Sequence, residues 1–115
     1  MSVNLRWIVV IGLATALSAA DRRPLPWEKN RLQIGQALYR ENCVVCHDVD
    51  KPQSKKSGPS FYQLFKRDKM PIASMKPNRE YIKVRVKFGG SLMPAFRQWL
   101  SDAEIETLID YMASK

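Results

Sequence analysis

Two cysteines, one histidine and five glycines are all that this 115-residue chain holds of those residue types, and each scarcity removes a class of chemistry. A structural zinc site normally takes four ligands; with no second cysteine pair, Asp48 or Asp50 would have to join Cys43, Cys46 and His47. A single histidine excludes any centre that needs two imidazoles from the chain itself. No arginine-rich helix, zinc-finger spacing or RNA-binding signature occurs, which argues against nucleic acid as a partner despite a formal charge of +8. No residue set reads as a general base, a nucleophile or a substrate pocket, so the chain is not read as an enzyme. There is no internal repeat and no low-complexity tract. The main apolar run, Ile8 to Leu17, is short for a bilayer span.

That run has a different meaning. Arg6 supplies a positive n-region, Ile8 to Leu17 an h-region, and Ser18-Ala19-Ala20 the small residues of a cleavage site, so residues 1–20 read as a signal peptide. Arg22 and Arg23 follow at once, which keeps an uncleaved anchor as the alternative; membrane contact is expected only in that case. Either way the remainder is exported, to the periplasm or another extracytoplasmic space. Residues 21–27, with Pro24 and Pro26, are expected as an extended lead-in whose Trp27 packs on the body. Residues 28–115 are expected as one domain.

The chain is organised around Cys43-Val44-Val45-Cys46-His47. Two thiols three positions apart with an imidazole after the second is the spacing for covalent attachment of a c-type haem. Each thiol can add across one vinyl group, and His47 is then held where its Nε2 reaches iron. A thioredoxin-like pair would follow a strand and open a helix, whereas the residues before Cys43 look helical. A plain disulfide is the remaining alternative.

Apolar residues recur at helical spacing in three places. Glu28 to Asn42 carries Leu32, Gly35, Leu38 and Tyr39 on one face, and Gly35 inside a helix signals a close approach. Arg79 to Phe88, with Asn78 as N-cap, is compatible with strand or helix; no partner strand exists, so helix is chosen, with Tyr81, Val84 and Phe88 on one face and Ile82 and Val86 beside it. Ser101 and Glu104 form a capping box, with Leu100 and Ile105 as staple, opening a helix striped by Ile105, Leu108, Ile109 and Met112. Asp48 to Ser57 is a polar, basic loop, and Phe61, Leu64 and Phe65 suit a short helix or turn walling an apolar pocket. The fold class is therefore all-α.

A haem bound through His47 would take its sixth ligand from a methionine, from a lysine, or from outside the protein. A thioether is a soft ligand that favours ferrous iron and raises the potential. Met112 belongs to a core stripe, and Met70 and Met75 read as packing or exposed residues. Met93, in a loop after two glycines and stiffened by Pro94, is the favoured ligand.

With these residues in place the chain resembles the small class I c-type cytochromes over nearly all of its exported part. Gly35 and Tyr39 sit where that family packs its N-terminal helix on its C-terminal one, with Leu108 and Tyr111 answering. Gly58-Pro59 resembles the pair whose proline carbonyl accepts the haem histidine's Nδ1–H. Phe61, Leu64 and Phe65 resemble haem-wall residues, Arg67 a propionate-binding arginine (Lys66 standing where many members have glycine), and Met93-Pro94-Ala95-Phe96 the axial-methionine loop. The resemblance implies a cytochrome c fold of three to five helices around one covalent haem, thioether links at Cys43 and Cys46, and iron between His47 and Met93. It further implies a monohaem carrier of single electrons between redox partner proteins. Lys51, Lys55, Lys56 and Lys87 would favour partners with an acidic docking surface, such as a dehydrogenase, oxidase or reductase. The rival is a dedicated haem subunit of a larger periplasmic oxidoreductase. A third possibility is an open-site haem that catalyses or senses gas.

Overall fold

In a computed structural model of the chain, residues 26–115 are described. The expected leader, residues 1–20, and most of the expected lead-in lie outside them. Three α-helices follow in order: α1, Pro26–Asn42; α2, Arg79–Phe88; and α3, Asp102–Ala113. Two short 3-10 turns, Leu64–Lys66 and Phe96–Gln98, lie in the connections. Among the described residues there is no strand, only an isolated bridge between Met70 and Ala73. The all-α expectation holds, and the ambiguous segment at Arg79 is helix.

Helix α1 starts two residues earlier than expected. Pro26 and Trp27 are its first residues, not part of an extended arm. Proline is well suited to a first helical position, because its fixed φ matches the helix and its missing N–H would have had no partner there. Trp27 is exposed instead of packed. The helix buries Gly35, Leu38 and Tyr39 against α3. Gly35 is needed for that crossing: a Cβ there would lie 2.5 Å from the Thr107 carbonyl oxygen and 2.6 Å from Tyr111 Cβ. One turn on, the Tyr39 and Tyr111 rings meet at 5.7 Å.

Helix α3 is the centre of the core. Its capping box forms as the sequence predicts, with Ser101 Oγ accepting from the Glu104 N–H and a Glu104 carboxylate oxygen accepting from the Ser101 N–H. Ile105, Leu108, Ile109 and Met112 are all buried, as are Leu100 and Leu64. Helix α2 is capped by Asn78 Oδ1, which accepts from the Tyr81 N–H at 3.2 Å, and ends at Gly89 with φ of 70°. It presents Ile82 and Val86 to α3, while Val84 and Phe88 face outward. Of the apolar positions that the sequence groups on and beside one face, Ile82 and Val86 are thus the buried ones. The exposed Phe88 ring is covered by the Arg97 guanidinium, 5.1 Å from its centroid.

Ion pairs fasten α2 and α1 to α3 from outside. Arg79 reaches Glu106 at 2.9 Å and Asp110 at 2.7 Å, Lys83 reaches Glu106 at 3.0 Å, and Lys87 reaches Asp102 at 2.8 Å. Arg31 pairs with Asp110 from α1. Each is partly exposed and screened by water, so these pairs add little; the apolar seam beneath them carries the packing.

Candidate functional site

Helix α1 runs straight into the Cys-Val-Val-Cys-His turn. The Cys43 N–H still bonds the Tyr39 carbonyl, and the Cys46 and His47 N–H groups fold back onto the Cys43 carbonyl at 3.1 and 2.9 Å. Both thiols are free and on the same side of the turn as a large cavity. A thioredoxin-like arrangement is therefore absent, since the motif closes a helix where that chemistry opens one.

His47 is fixed from three directions. Its Nδ1 lies 2.8 Å from the Pro59 carbonyl oxygen, so Nδ1 carries the hydrogen and donates, leaving Nε2 with its lone pair. The ring stacks on Phe61 at 4.2 Å with 21° between planes. Its backbone carbonyl accepts from Tyr39 Oη at 2.7 Å and from Lys56 Nζ at 3.2 Å. Gly58 completes the enclosure: a Cβ there would collide with the imidazole, 2.5 Å from Nδ1, and with the Cys46 carbonyl oxygen, 2.8 Å away. Burial lowers the His47 pKa, with the Pro59 bond opposing and nearby Lys56 adding to the effect. The imidazole is thus kept neutral, the form in which it donates electrons to a metal. Burial likewise pushes the Cys43 thiol up to about 11, with Cys46 adding to it.

Met93 lines the same cavity, half-buried at the end of the loop that leaves Gly89. Its carbonyl accepts from the Gly90 N–H at 2.9 Å, and Gly89's positive φ makes the turn. A Cβ on Gly89 would collide with the Met93 carbonyl and come within 2.8 Å of Pro94.

Between these walls the chain leaves a cavity of about 470 Å³. Cys43, Cys46, His47, Pro59, Phe61, Leu64 and Met93 all line it, and its lining is mainly apolar. Arg67 does not: Nε and Nη2 both donate to the Tyr62 carbonyl, at 3.0 and 2.6 Å. Of the other methionines, Met70 and Met112 also line the cavity, Met70 partly buried and Met112 buried in α3, while Met75 is exposed. The lining further includes Tyr81, Ile82, Arg85 and Val86 of α2, with Val45, Ile72 and Leu92 exposed at its mouth. In the sequence Arg85 carries no sign of a role, and Tyr81 shows only as part of a helix face. Their i, i+4 spacing puts them on one side of α2, but nothing local says which side faces a void.

Among the described residues, no group of three or more His, Cys, Asp or Glu side chains is placed to hold a metal ion directly. The zinc alternative needed Asp48 or Asp50, and both face elsewhere: Asp48 is held by Ser54 and Lys56, each at 3.0 Å, and Asp50 by Lys115 at 3.6 Å. What the site offers is an apolar slot lined by two thiols, a tautomer-fixed imidazole and a thioether. That donor set fits a metal carried inside a flat apolar macrocycle.

A family model described as cytochrome C oxidase, cbb3-type, subunit III matches residues 30–112. The chain belongs to this family of c-type cytochromes. The fit of the slot to haem and the family now agree, and the cytochrome is a haem-based electron-transfer protein carrying covalent haem c. Family members are electron carriers, and in cbb3 oxidase the domain is part of an enzyme complex. Such domains generally work outside the cytoplasm. Among the described residues of this cytochrome, no helix is long and apolar enough to cross a membrane.

Proposed function

We propose that this cytochrome is an exported monohaem protein that passes single electrons between redox partner proteins. Its one haem is linked through Cys43 and Cys46 and held between His47 and Met93. The observation that carries this reading is that, among the described residues, one cavity is lined by both thiols, by a histidine with only Nε2 available, and by Met93. When bound, haem supplies the one-electron couple. The chain's own residues do the rest. Pro59, Tyr39 and Lys56 hold the imidazole wall in place, which keeps reorganisation small, while Phe61, Leu64, Ile82 and Val86 exclude water from most of the slot.

The basic residues expected to steer partners divide in two. Lys56 is tied to Asp48 and to the Val44 and His47 carbonyls, and Lys87 to Asp102. Lys51 and Lys55 remain exposed on the loop beside the attachment turn, and they supply the attraction to an acidic docking surface. Association should therefore slow as salt rises; a partner whose on-rate ignored ionic strength would remove this part of the reading.

A second reading, a resident haem subunit of a larger periplasmic oxidoreductase, is favoured by the exposed apolar mouth: Val45, Ile72 and Leu92 are 78%, 81% and 90% exposed. Copurification of a catalytic subunit at high salt would select it.

The deciding experiment is an absorption spectrum of the exported protein, oxidised and reduced, beside Met93→Ala. A covalent c-type spectrum with a far-red sulfur-to-iron band that disappears in the variant is the expected result. Haem without that band, and with ready binding of carbon monoxide, would replace the Met93 assignment with an open sixth position.

A further inference from the structure

Haem carries two carboxylates, and an apolar slot that accepts it must either leave them in water or give them a cation. Among the described residues, those lining the slot include no aspartate, no glutamate and no lysine. The titratable side chains that face it are Cys43, Cys46 and His47 from the attachment turn and Tyr81 and Arg85 from α2. Among the described residues, Arg85 is thus the one permanently charged group on the cavity wall.

Its placement is specific. Arg85 Nη2 donates to Tyr81 Oη at 2.9 Å, and the guanidinium lies 5.6 Å from the Tyr81 ring centroid. Nη1 makes a long contact to the Gly89 carbonyl, 3.3 Å. A guanidinium has five N–H donors in a planar fork, so most of its donor capacity remains for a carboxylate. The second glycine of the loop gives an independent pointer. Only Gly89 of the pair needs a positive φ, yet a Cβ on Gly90 would sit 2.7 Å from Arg85 Nη1. Gly90 therefore keeps clear the space that this guanidinium occupies. Arg67, the residue the family resemblance pointed to, is absent from the cavity wall, its Nε and Nη2 donating to the Tyr62 carbonyl.

We propose that Arg85, oriented by Tyr81 and given room by Gly90, is the carboxylate clamp of this slot and binds a propionate of the haem. The proposal rests on the haem reading above. It makes Arg85 a contact residue and Tyr81 a positioning residue. A guanidinium on a propionate holds that carboxylate ionised and cancels its charge, which a neutral side chain would leave uncompensated.

The test uses the full-length exported holoprotein with Arg85→Gln, Arg85→Lys, Gly90→Ala and Arg67→Gln. The readouts are the midpoint potential between pH 5 and 8 and the propionate bending band in resonance Raman spectra. Arg85→Gln should shift the band, lower the potential at neutral pH and add a pH-dependent step as the freed carboxylate titrates. Arg85→Lys should restore part of each. Gly90→Ala, which displaces the guanidinium without removing it, should move the band in the same direction by less. Arg67→Gln should leave both readouts unchanged. If Arg67→Gln moved the band and Arg85→Gln did not, the clamp would belong to Arg67. If neither Arg85→Gln nor Gly90→Ala moved it in a protein with an intact c-type spectrum, the clamp would be refuted while the haem reading stood. Wild type lacking covalent haem would instead overturn the haem reading itself. Should Arg85→Gln not accumulate, Gly90→Ala and Arg85→Lys decide alone, and a silent band in both would overturn the proposal.

Discussion

The two walls of the slot are built on different principles. On the histidine side, side chains from distant segments converge on backbone carbonyls: Tyr39 and Lys56 on that of His47, Lys56 also on that of Val44, and the His47 ring on that of Pro59. On the methionine side the loop is shaped by the backbone itself, through Gly89's left-handed φ and the Gly90 N–H to Met93 carbonyl bond. Met93 is half-buried and its neighbour Leu92 almost fully exposed. The first wall is set by tertiary contacts and the second by local conformation. Under the proposed ligation that asymmetry has a use: His47 is held by tertiary contacts already in place, whereas Met93 rests on a backbone turn.

The largest way to break the contrast is Gly58→Ala. Its new Cβ must displace either the imidazole or the Cys46 carbonyl, and neither is the loose end of a flexible chain. Overpacking of this kind costs about 1–3 kcal/mol, and here the displaced group is the one that must stay aligned. We expect a marked fall in covalent haem per protein and a lower melting temperature. Wild-type values for both would mean that the histidine wall is not preformed. The companion is Gly89→Ala, which costs about 1–3 kcal/mol for a backbone at φ 70° and ψ −156° that essentially only glycine adopts, and which presses on Met93. Its effect should be local. On heating, the sulfur-to-iron band should vanish well before helical circular dichroism is lost, whereas in Gly58→Ala the two should fall together.

How much of this the sequence displayed follows the same division. Helix α3 was legible because its cap, staple and stripe are all local, and the attachment motif because five consecutive residues carry it. Gly35 could be read as a close approach, since nothing else excuses a glycine inside a helix. The face of α2 was not legible: Val84 with Phe88 and Ile82 with Val86 are equally good i, i+4 pairs, and only the position of α3 chooses between them. Trp27 shows the same limit, its size inviting a packing role that the helix start at Pro26 turns outward. Arg67 and Arg85 are the clearest case. A linear pattern marks an arginine, but where its guanidinium goes depends on the Tyr62 carbonyl in one case and on the room left by Gly90 in the other.

Lys56 sharpens the comparison at lower amplitude. Replacing it with Met removes a charged donor from two carbonyls and from Asp48, yet Tyr39 still holds the His47 carbonyl. Partial exposure screens the charge, so about 1 kcal/mol is expected. Tyr39→Phe should cost about 0.5–1.5 kcal/mol for its lost bond. Because both donors serve one carbonyl, the double variant should lose more than the sum. Strict additivity in chemical denaturation would show that the two donors act independently.

The smallest expected effect tests whether the outer ion pairs belong to either wall. Glu106 is held below the ordinary carboxylate range chiefly by its bond to Arg79, then by Lys83, and Asp102 chiefly by Lys87. Both folded-state pKa values are lowered, so below the ordinary range the unfolded chain takes up protons that the folded chain resists. The stabilisation is therefore complete at neutral pH and is lost as pH falls through the ordinary carboxylate range toward the lowered values. Glu106→Gln should flatten that acid slope and cost about 0.5 kcal/mol at pH 7, with no change in the sulfur-to-iron band. These pairs join α2 to α3 on the side away from the slot, and neither Glu106 nor Asp102 lines it. A variant whose band changed with pH while its slope did not would place the pairs in the methionine wall after all, because α2 is the element from which the Gly89 loop departs.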